Sequence, residues 1–250
     1  MLQVEKLAKH FGGVTVFTNV SFTAAPGAVT ALIGPNGAGK STMINIICGV
    51  FPGDDGRVLK NGNELIGLTP SRAVAAGLAR TFQDVRLFPT LTLLENVMVA
   101  IPDQVGDSVF RLFGPGWKAN ERKNRDLAEG LLAELGVAEH ANSEAEQVPF
   151  GVQKMAAVAR AVATGADTLL LDEPAAGVEA AHIPLLTGFV KRLRDKGKTV
   201  VFIDHNVDVV AEVADQVVVL QGTVIAAGDT NSVLRNEQVI KEYLGRIYDA

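Results

Sequence analysis

Three features of this sequence predict an α/β fold built on a parallel sheet. The apolar run Val29-Thr30-Ala31-Leu32-Ile33 feeds directly into the glycine-rich turn Gly34-Pro35-Asn36-Gly37-Ala38-Gly39-Lys40-Ser41-Thr42, and an apolar stretch with Met43, Ile44, Ile46 and Ile47 follows. Beyond residue 151, helix-like and strand-like segments alternate, the βαβ pattern that implies parallel strands. Ahead of the turn, short strand-like runs separated by Gly12-Gly13 and Pro26-Gly27 read as an antiparallel β subdomain.

Taken in chain order, the first thirty residues are strands broken at those two turns, followed by a buried strand at 29–33 and a helix to about Cys48. Pro52-Gly53-Asp54-Asp55-Gly56 turns the chain into a strand at 57–60, which Asn61-Gly62 closes as a hairpin. Thr69 precedes Pro70 as the expected cap of a helix over 69–76. From about Asp84 to Gln147 strand runs disappear. Helices are expected at 93–100 and at 122–135, the latter ended by Gly136, with loop and short helix at 102–119 between them. A helix at 151–163, a strand at 168–171, a helix at 183–196 and a strand at 199–203 follow. A hairpin at 215–226 around Gln221-Gly222 and a helix from about Ser232 end the chain. The expected organisation is one domain over 1–250. Residues 1–83 and 151–230 form the α/β core with its β subdomain, 84–150 an inserted helical subdomain, and 231–250 a C-terminal helix.

The turn at 34–42 has the P-loop form G-x-x-x-x-G-K-[ST] in its proper setting, after a strand and before a helix. Successive N–H groups of Gly37, Ala38, Gly39 and Lys40 can converge on phosphate oxygens, because glycine admits the dihedrals and the close approach required. The helix beginning near Lys40 aims its positive dipole end at the same point. The Lys40 ammonium reaches the β- and γ-phosphates, and Ser41 can hold a magnesium ion. The second half of such a site is Thr168-Leu169-Leu170-Leu171-Asp172-Glu173-Pro174. A hydrophobic strand ending in two acids puts Asp172 at the strand's carboxyl end, placed to bind magnesium through water. Glu173 beside it is the natural base for a hydrolytic water, a role worth about 10²–10⁴-fold in rate.

These two motifs with the downstream His205 resemble an ATP-binding cassette (ABC) ATPase over nearly the whole chain, which implies a P-loop NTPase (RecA-like) core. The resemblance implies further roles, residue by residue. Phe11 stands where the family stacks an aromatic on adenine. Gln83, in Arg80-Thr81-Phe82-Gln83, resembles the glutamine that touches the metal and links the nucleotide to the membrane partner. His205, after the strand at 199–203, resembles the switch histidine that contacts the γ-phosphate; His10, His140 and His182 have no such context. Where Leu-Ser-Gly-Gly-Gln is usual, this chain has Val148-Pro149-Phe150-Gly151-Val152 followed by Gln153-Lys154. Proline lacks both the serine hydroxyl and an N–H, yet suits a helix start, and the N–H groups of Gly151 and Val152 remain as phosphate donors. This variant is similar to the Leu-Pro-Tyr-Gly-x-Gln-Arg form of the branched-chain amino acid importers. Residues 80–88, residues 172–177 and the extra loop at 102–119 resemble the larger ATPase subunit of that branch. Glu179 replaces the usual Asp or Asn of the D-loop.

The resemblance implies ATP and Mg2+ as cofactors, a second ABC ATPase subunit in a heterodimer or homodimer, two integral-membrane permease subunits and, indirectly, an extracytoplasmic solute-binding protein. The place of action implied is the cytoplasmic face of the cell (inner) membrane, as a peripheral subunit. Composition agrees. A net charge of −5 argues against nucleic acid as a partner, and a single cysteine, Cys48, reads as a buried thiol in a reducing compartment. The opening residues read as strand, not as a signal peptide, and no apolar run approaches the ~18–20 residues of a membrane span. An exporter or lipid-extraction cassette would share this chemistry. A soluble ABC ATPase acting on ribosomes or DNA is opposed by the single P-loop and the acidic balance. A P-loop kinase or GTPase is opposed by the Asp172-Glu173 pair, the signature-like segment and the lack of an Asn-Lys-x-Asp sequence.

Overall fold

The structure is a computed structural model that describes residues 1–102 and 117–241. Its strands are β1 (Leu2–Phe11), β2 (Val14–Ala24), β3 (Ala28–Ile33), β4 (Asp55–Lys60), β5 (Asn63–Glu64), β6 (Leu78–Arg80), β7 (Thr168–Asp172), β8 (Thr199–Ile203), β9 (Gln216–Leu220) and β10 (Val224–Asp229). Its helices are α1 (Lys40–Ile47), α2 (Pro70–Ala75), α3 (Leu93–Met98), α4 (Trp117–Glu134), α5 (Phe150–Ala163), α6 (Ile183–Asp195), α7 (Val207–Val213), α8 (Thr230–Leu234) and α9 (Glu237–Val239). The chain divides into two compact units. One comprises Met1–Arg80, Asp167–Glu173 and Val190–Ala250, and the other Thr81–Ala166 and Pro174–Phe189.

The first unit holds two sheets. The antiparallel sheet runs β2-β1-β4-β5, with Leu59 opposite Glu64 and Lys60 opposite Asn63 across the expected Asn61-Gly62 turn. The other runs β10-β9-β3-β8-β7-β6 and is parallel except for the edge strand β10. Every residue of β7 and β8 is buried, and β3 nearly so. Continuous apolar runs are what parallel strands covered on both faces require. One apolar cluster joins Leu2, Leu7 and Phe17 of the antiparallel sheet to Met43, Ile44, Ile46 and Ile47 of α1, and these to Leu170, Val201, Ile203 and Leu220. The strand that feeds the P-loop lies between β8 and β9, so the loop springs from the middle of the sheet.

The second unit packs α3, α4 and α5 on one another. A capping box starts α3: the Glu95 N–H donates to Thr92 Oγ1 at 3.1 Å, and the Thr92 N–H to Glu95 Oε2 at 2.8 Å. Behind it the fully buried Asn96 organises the preceding turn. Its Oδ1 accepts the Phe88 N–H at 2.7 Å, and its Nδ2 donates to the carbonyls of Phe88, Leu91 and Thr92 at 3.0–3.1 Å. Replacing it with leucine keeps the number and branching of the side-chain heavy atoms and strands partly buried backbone groups. Asn96→Leu should therefore lose about 1–3 kcal/mol in urea denaturation.

Several expectations need correction. The second unit is wider than 84–150, because α5 packs on α3 and α4 and residues 174–189 join them. The strand β6 was not expected: three residues carry no periodicity, and they form a strand because they pair with Thr168, Leu169 and Leu170. The helix α7 was also not expected, although Asn206 caps it by accepting the Asp208 and Val209 N–H groups at 3.1 and 3.2 Å. The helix α4 begins at Trp117, ahead of the expected start at 122; residues 103–116 of the expected loop and short helix lie outside the described residues. In place of one helix from Ser232 there are α8 and α9, each started by its own side-chain cap, Asp229 and Asn236; residues 242–250 lie outside the described residues. Thr69 stands at the N-cap before Pro70 as expected, but its hydroxyl meets Ser71 Oγ at 3.0 Å and does not cap the backbone.

Candidate nucleotide site

The P-loop closes on α1 through Gly39, which takes the N-cap position with φ 95° and ψ 9°. That left-handed conformation is one an L-residue with a side chain avoids. Space forbids a side chain as well: a Cβ there would lie 2.6 Å from the buried Phe17 ring and 2.9 Å from Val16. No side chain caps α1, so its first N–H groups meet the loop with their dipole unopposed. Lys40 opens the helix and folds back across the loop, donating to Gly34 O at 2.7 Å and Pro35 O at 3.0 Å. The ammonium has three N–H bonds to distribute, so the loop carbonyls aim it without exhausting it. Burial lowers the Lys40 pKa, and the charges of Glu173 and Asp172 act in the opposite direction. Asn36, Gly37 and Ser41 are exposed, Pro35 and Thr42 half-buried, and Ala38 buried.

The two acids behave differently although adjacent. Asp172 ends β7 and is only 2% exposed. Glu173 follows with φ 47°, a left-handed dihedral on a residue with a full side chain. Such an outlier persists only where its surroundings impose it. Here the Glu173 N–H extends the ladder by donating to Ile203 O at 2.8 Å, while the side chain turns toward His205. Glu173 Oε1 and His205 Nε2 are 2.7 Å apart, and in the tautomer that fits an ionised carboxylate the imidazole donates. The histidine is exposed and the glutamate largely covered. Lys40, Asp172, Glu173 and His205 thus belong to one constellation in the first unit.

Phe11 ends β1 half-exposed, its ring 5.5 Å from that of Phe51 at 78°, with Lys9 Nζ 5.1 Å from its centroid. Lys9 is held by Asp54 at 2.7 Å, and Asp54 also accepts the His10 N–H at 2.6 Å. The strand end that presents Phe11 is therefore anchored on both sides. Gln83 lies exposed in the second unit, shortly after β6. Pro149 occupies the N-cap of α5, one position earlier than a first-turn proline, with φ −55° and ψ 148°. The Gln153 N–H donates to Pro149 O at 3.1 Å, so the helical ladder starts there, and the N–H groups of Gly151 and Val152 lie in the turn before it. Phe150 is half-exposed and Val152 buried.

Two neighbours of the site were not singled out from sequence. Arg80 ends β6 with its guanidinium against α1 and Asp172, and Asp204, buried after β8, accepts the Asn206 N–H at 3.0 Å. Neither sits in a periodic pattern that marks it; only the pairing of β6 with β7 brings Arg80 into place. Burial pushes the Cys48 thiol up to about 11, against the lowering influence of Arg80. A thiol so raised is protonated at pH 8. Its alkylation in the folded protein should be about 100-fold slower than in the unfolded chain at that pH, and should keep rising beyond pH 10. A rate equal to that of a denatured sample would contradict the burial.

Comparisons with known proteins show the family of the chain. The family model described as ABC transporter matches residues 17–176. The chain belongs to the ABC transporter family. As a cassette of that family it is an ATPase, and it is similar over its length to named relatives. It is 35% identical over 98% of both chains to the high-affinity branched-chain amino acid transport ATP-binding protein LivG of Escherichia coli K12. It is 34% identical, with the same coverage, to BraF, the protein of that description from Pseudomonas aeruginosa. Among solved structures, a nucleotide-free ATP-binding cassette from an ABC transporter is 31% identical, with a TM-score of 0.82 over 97% of this chain and 98% of that one. Among the described residues of the cassette, no helix is long and apolar enough to cross a membrane.

Proposed function

We propose that this cassette is the ATP-hydrolysing motor of an importer for branched-chain amino acids or similar small solutes. The observation that carries the reading is the match to LivG and BraF over 98% of this chain and 98% of each of theirs. It would work as a peripheral subunit on the cytoplasmic face of the cell (inner) membrane. Its partners would be two integral-membrane permeases, a second cassette in a heterodimer or homodimer and, indirectly, an extracytoplasmic solute-binding protein. An acidic net charge of −5 argues against nucleic acid as a partner.

ATP fits the P-loop by its charge, with the N–H groups of residues 37–40 and the Lys40 ammonium facing the phosphates and the Phe11 ring taking adenine. The donor set within the first unit suits Mg2+: a serine hydroxyl at Ser41 and one buried carboxylate at Asp172, both hard oxygen donors. Among the described residues no cluster of three or more His, Cys, Asp or Glu offers a metal cage. Mg2+ needs none, since it keeps waters and takes phosphate oxygens together with one or two carboxylates. When bound, the ion supplies charge neutralisation at the β- and γ-phosphates. Glu173 then accepts the proton of the attacking water, and His205 orients that carboxylate and contacts the γ-phosphate. Pro149, Phe150, Gly151 and Val152 would face the ATP held by the partner cassette, offering the Gly151 and Val152 N–H groups. ATP acts as a ligand that favours the closed pair, and loss of the γ-phosphate removes the preference.

The test is a gentle detergent pull-down of tagged protein from its native host, analysed by mass spectrometry and followed by uptake assays. Recovery of two multi-span permeases with a second cassette, and loss of branched-chain amino acid uptake on deletion, are the expected results. Export of a solute, or recovery of ribosomes and no membrane protein, would overturn the reading.

A further inference from the structure

The Arg80 guanidinium touches both halves of the nucleotide site. Its Nη1 donates to Asn45 Oδ1 at 2.7 Å, and its Nη2 lies 3.9 Å from Asp172 Oδ2. Asn45 lies within α1, and Arg80 ends β6. The helix whose start carries Lys40 is thus tied, through one side chain, to the carboxylate at the end of β7. The Arg80 side chain is 12% exposed and that of Asp172 2%. A carboxylate so buried needs a compensating positive charge. The planar fork of arginine reaches Asn45 and Asp172 with different nitrogens, a geometry that the point charge of lysine cannot reproduce. Thr81, the next residue, begins the second unit.

We propose that Arg80 is a positioning residue that sets the Asp172 carboxylate relative to the P-loop helix, and that its loss weakens Mg2+ and leaves the binding of metal-free ATP intact. The inference rests on the reading of Asp172 as a Mg2+ ligand. Groups that orient a metal ligand from behind typically cost 10–100-fold in metal affinity when removed. At 3.9 Å the contact with Asp172 is electrostatic and sits beside the shorter bond to Asn45. The lower end of that range, about tenfold, is therefore expected.

The experiment is calorimetric titration of ATP into the whole protein, in EDTA and then over a Mg2+ series. The parent is compared with Arg80→Met, Arg80→Lys, Asn45→Ala and Asp172→Asn. Arg80→Met should raise the half-saturating Mg2+ about tenfold while its affinity for ATP in EDTA matches the parent's. Arg80→Lys and Asn45→Ala should raise it less, in the same direction, and they carry the test if Arg80→Met does not fold. Asp172→Asn should lose most of the Mg2+ dependence. Superposable Mg2+ curves for the parent and the Arg80 variants overturn the inference alone. Equal weakening with and without Mg2+ also overturns it, because Arg80 would then only hold α1 in place. An Asp172→Asn protein as Mg2+-dependent as the parent overturns the reading of Asp172, and the inference with it.

Discussion

Glu173→Gln should lower ATP turnover by about 10²–10⁴-fold while ATP binding is retained. The substitution is close to isosteric, so the backbone reasons for the residue's position survive it. Its N–H still donates to Ile203 O, and the φ of 47° is imposed by the step from β7 into the next segment. The 2.7 Å contact with His205 also survives, with an amide in place of the carboxylate. What is lost is the group able to take a proton from water. Phosphate release measured beside nucleotide affinity separates the two effects. Turnover equal to the parent's would mean that another group activates the water.

Gly39→Ala should weaken ATP binding about 10²-fold, because a displacement near 1 Å in a positioned site costs on that order. Two separate penalties act at this residue. A left-handed conformation costs a residue with a side chain roughly 1–2 kcal/mol. In addition, the new methyl would lie 2.6 Å from the Phe17 ring, which is fully buried and cannot swing away. Relief requires the loop to open, and that moves the N–H groups of residues 37–40 off the phosphates. Titration of ATP into the variant, with circular dichroism to verify the fold, measures the effect. Unchanged affinity would show that the loop can bind phosphate from a different backbone path.

Much of this is legible in the sequence. The P-loop announces itself because phosphate binding needs particular residues at consecutive positions, and Gly39 and Lys40 cannot be exchanged for others. Strands β7 and β8 were readable as apolar runs because burial on both faces removes the polar alternation. The short elements were not readable in the same way. Strand β6 has no pattern of its own, and α8 and α9 are each set by a local cap. The limits of the second unit depend on α5 packing against α3 and α4.

The sequence alone determined the chemistry of this protein: a phosphate loop, an acidic pair at a strand end and a histidine after a strand, since each depends on residue type and local spacing. Tertiary structure alone decided which groups stand behind that chemistry. Glu173 meets His205, and Arg80 meets both Asn45 and Asp172, only because distant strands pair side by side. Contacts between residues far apart in the chain leave no period in a sequence; they come into being when the sheet forms.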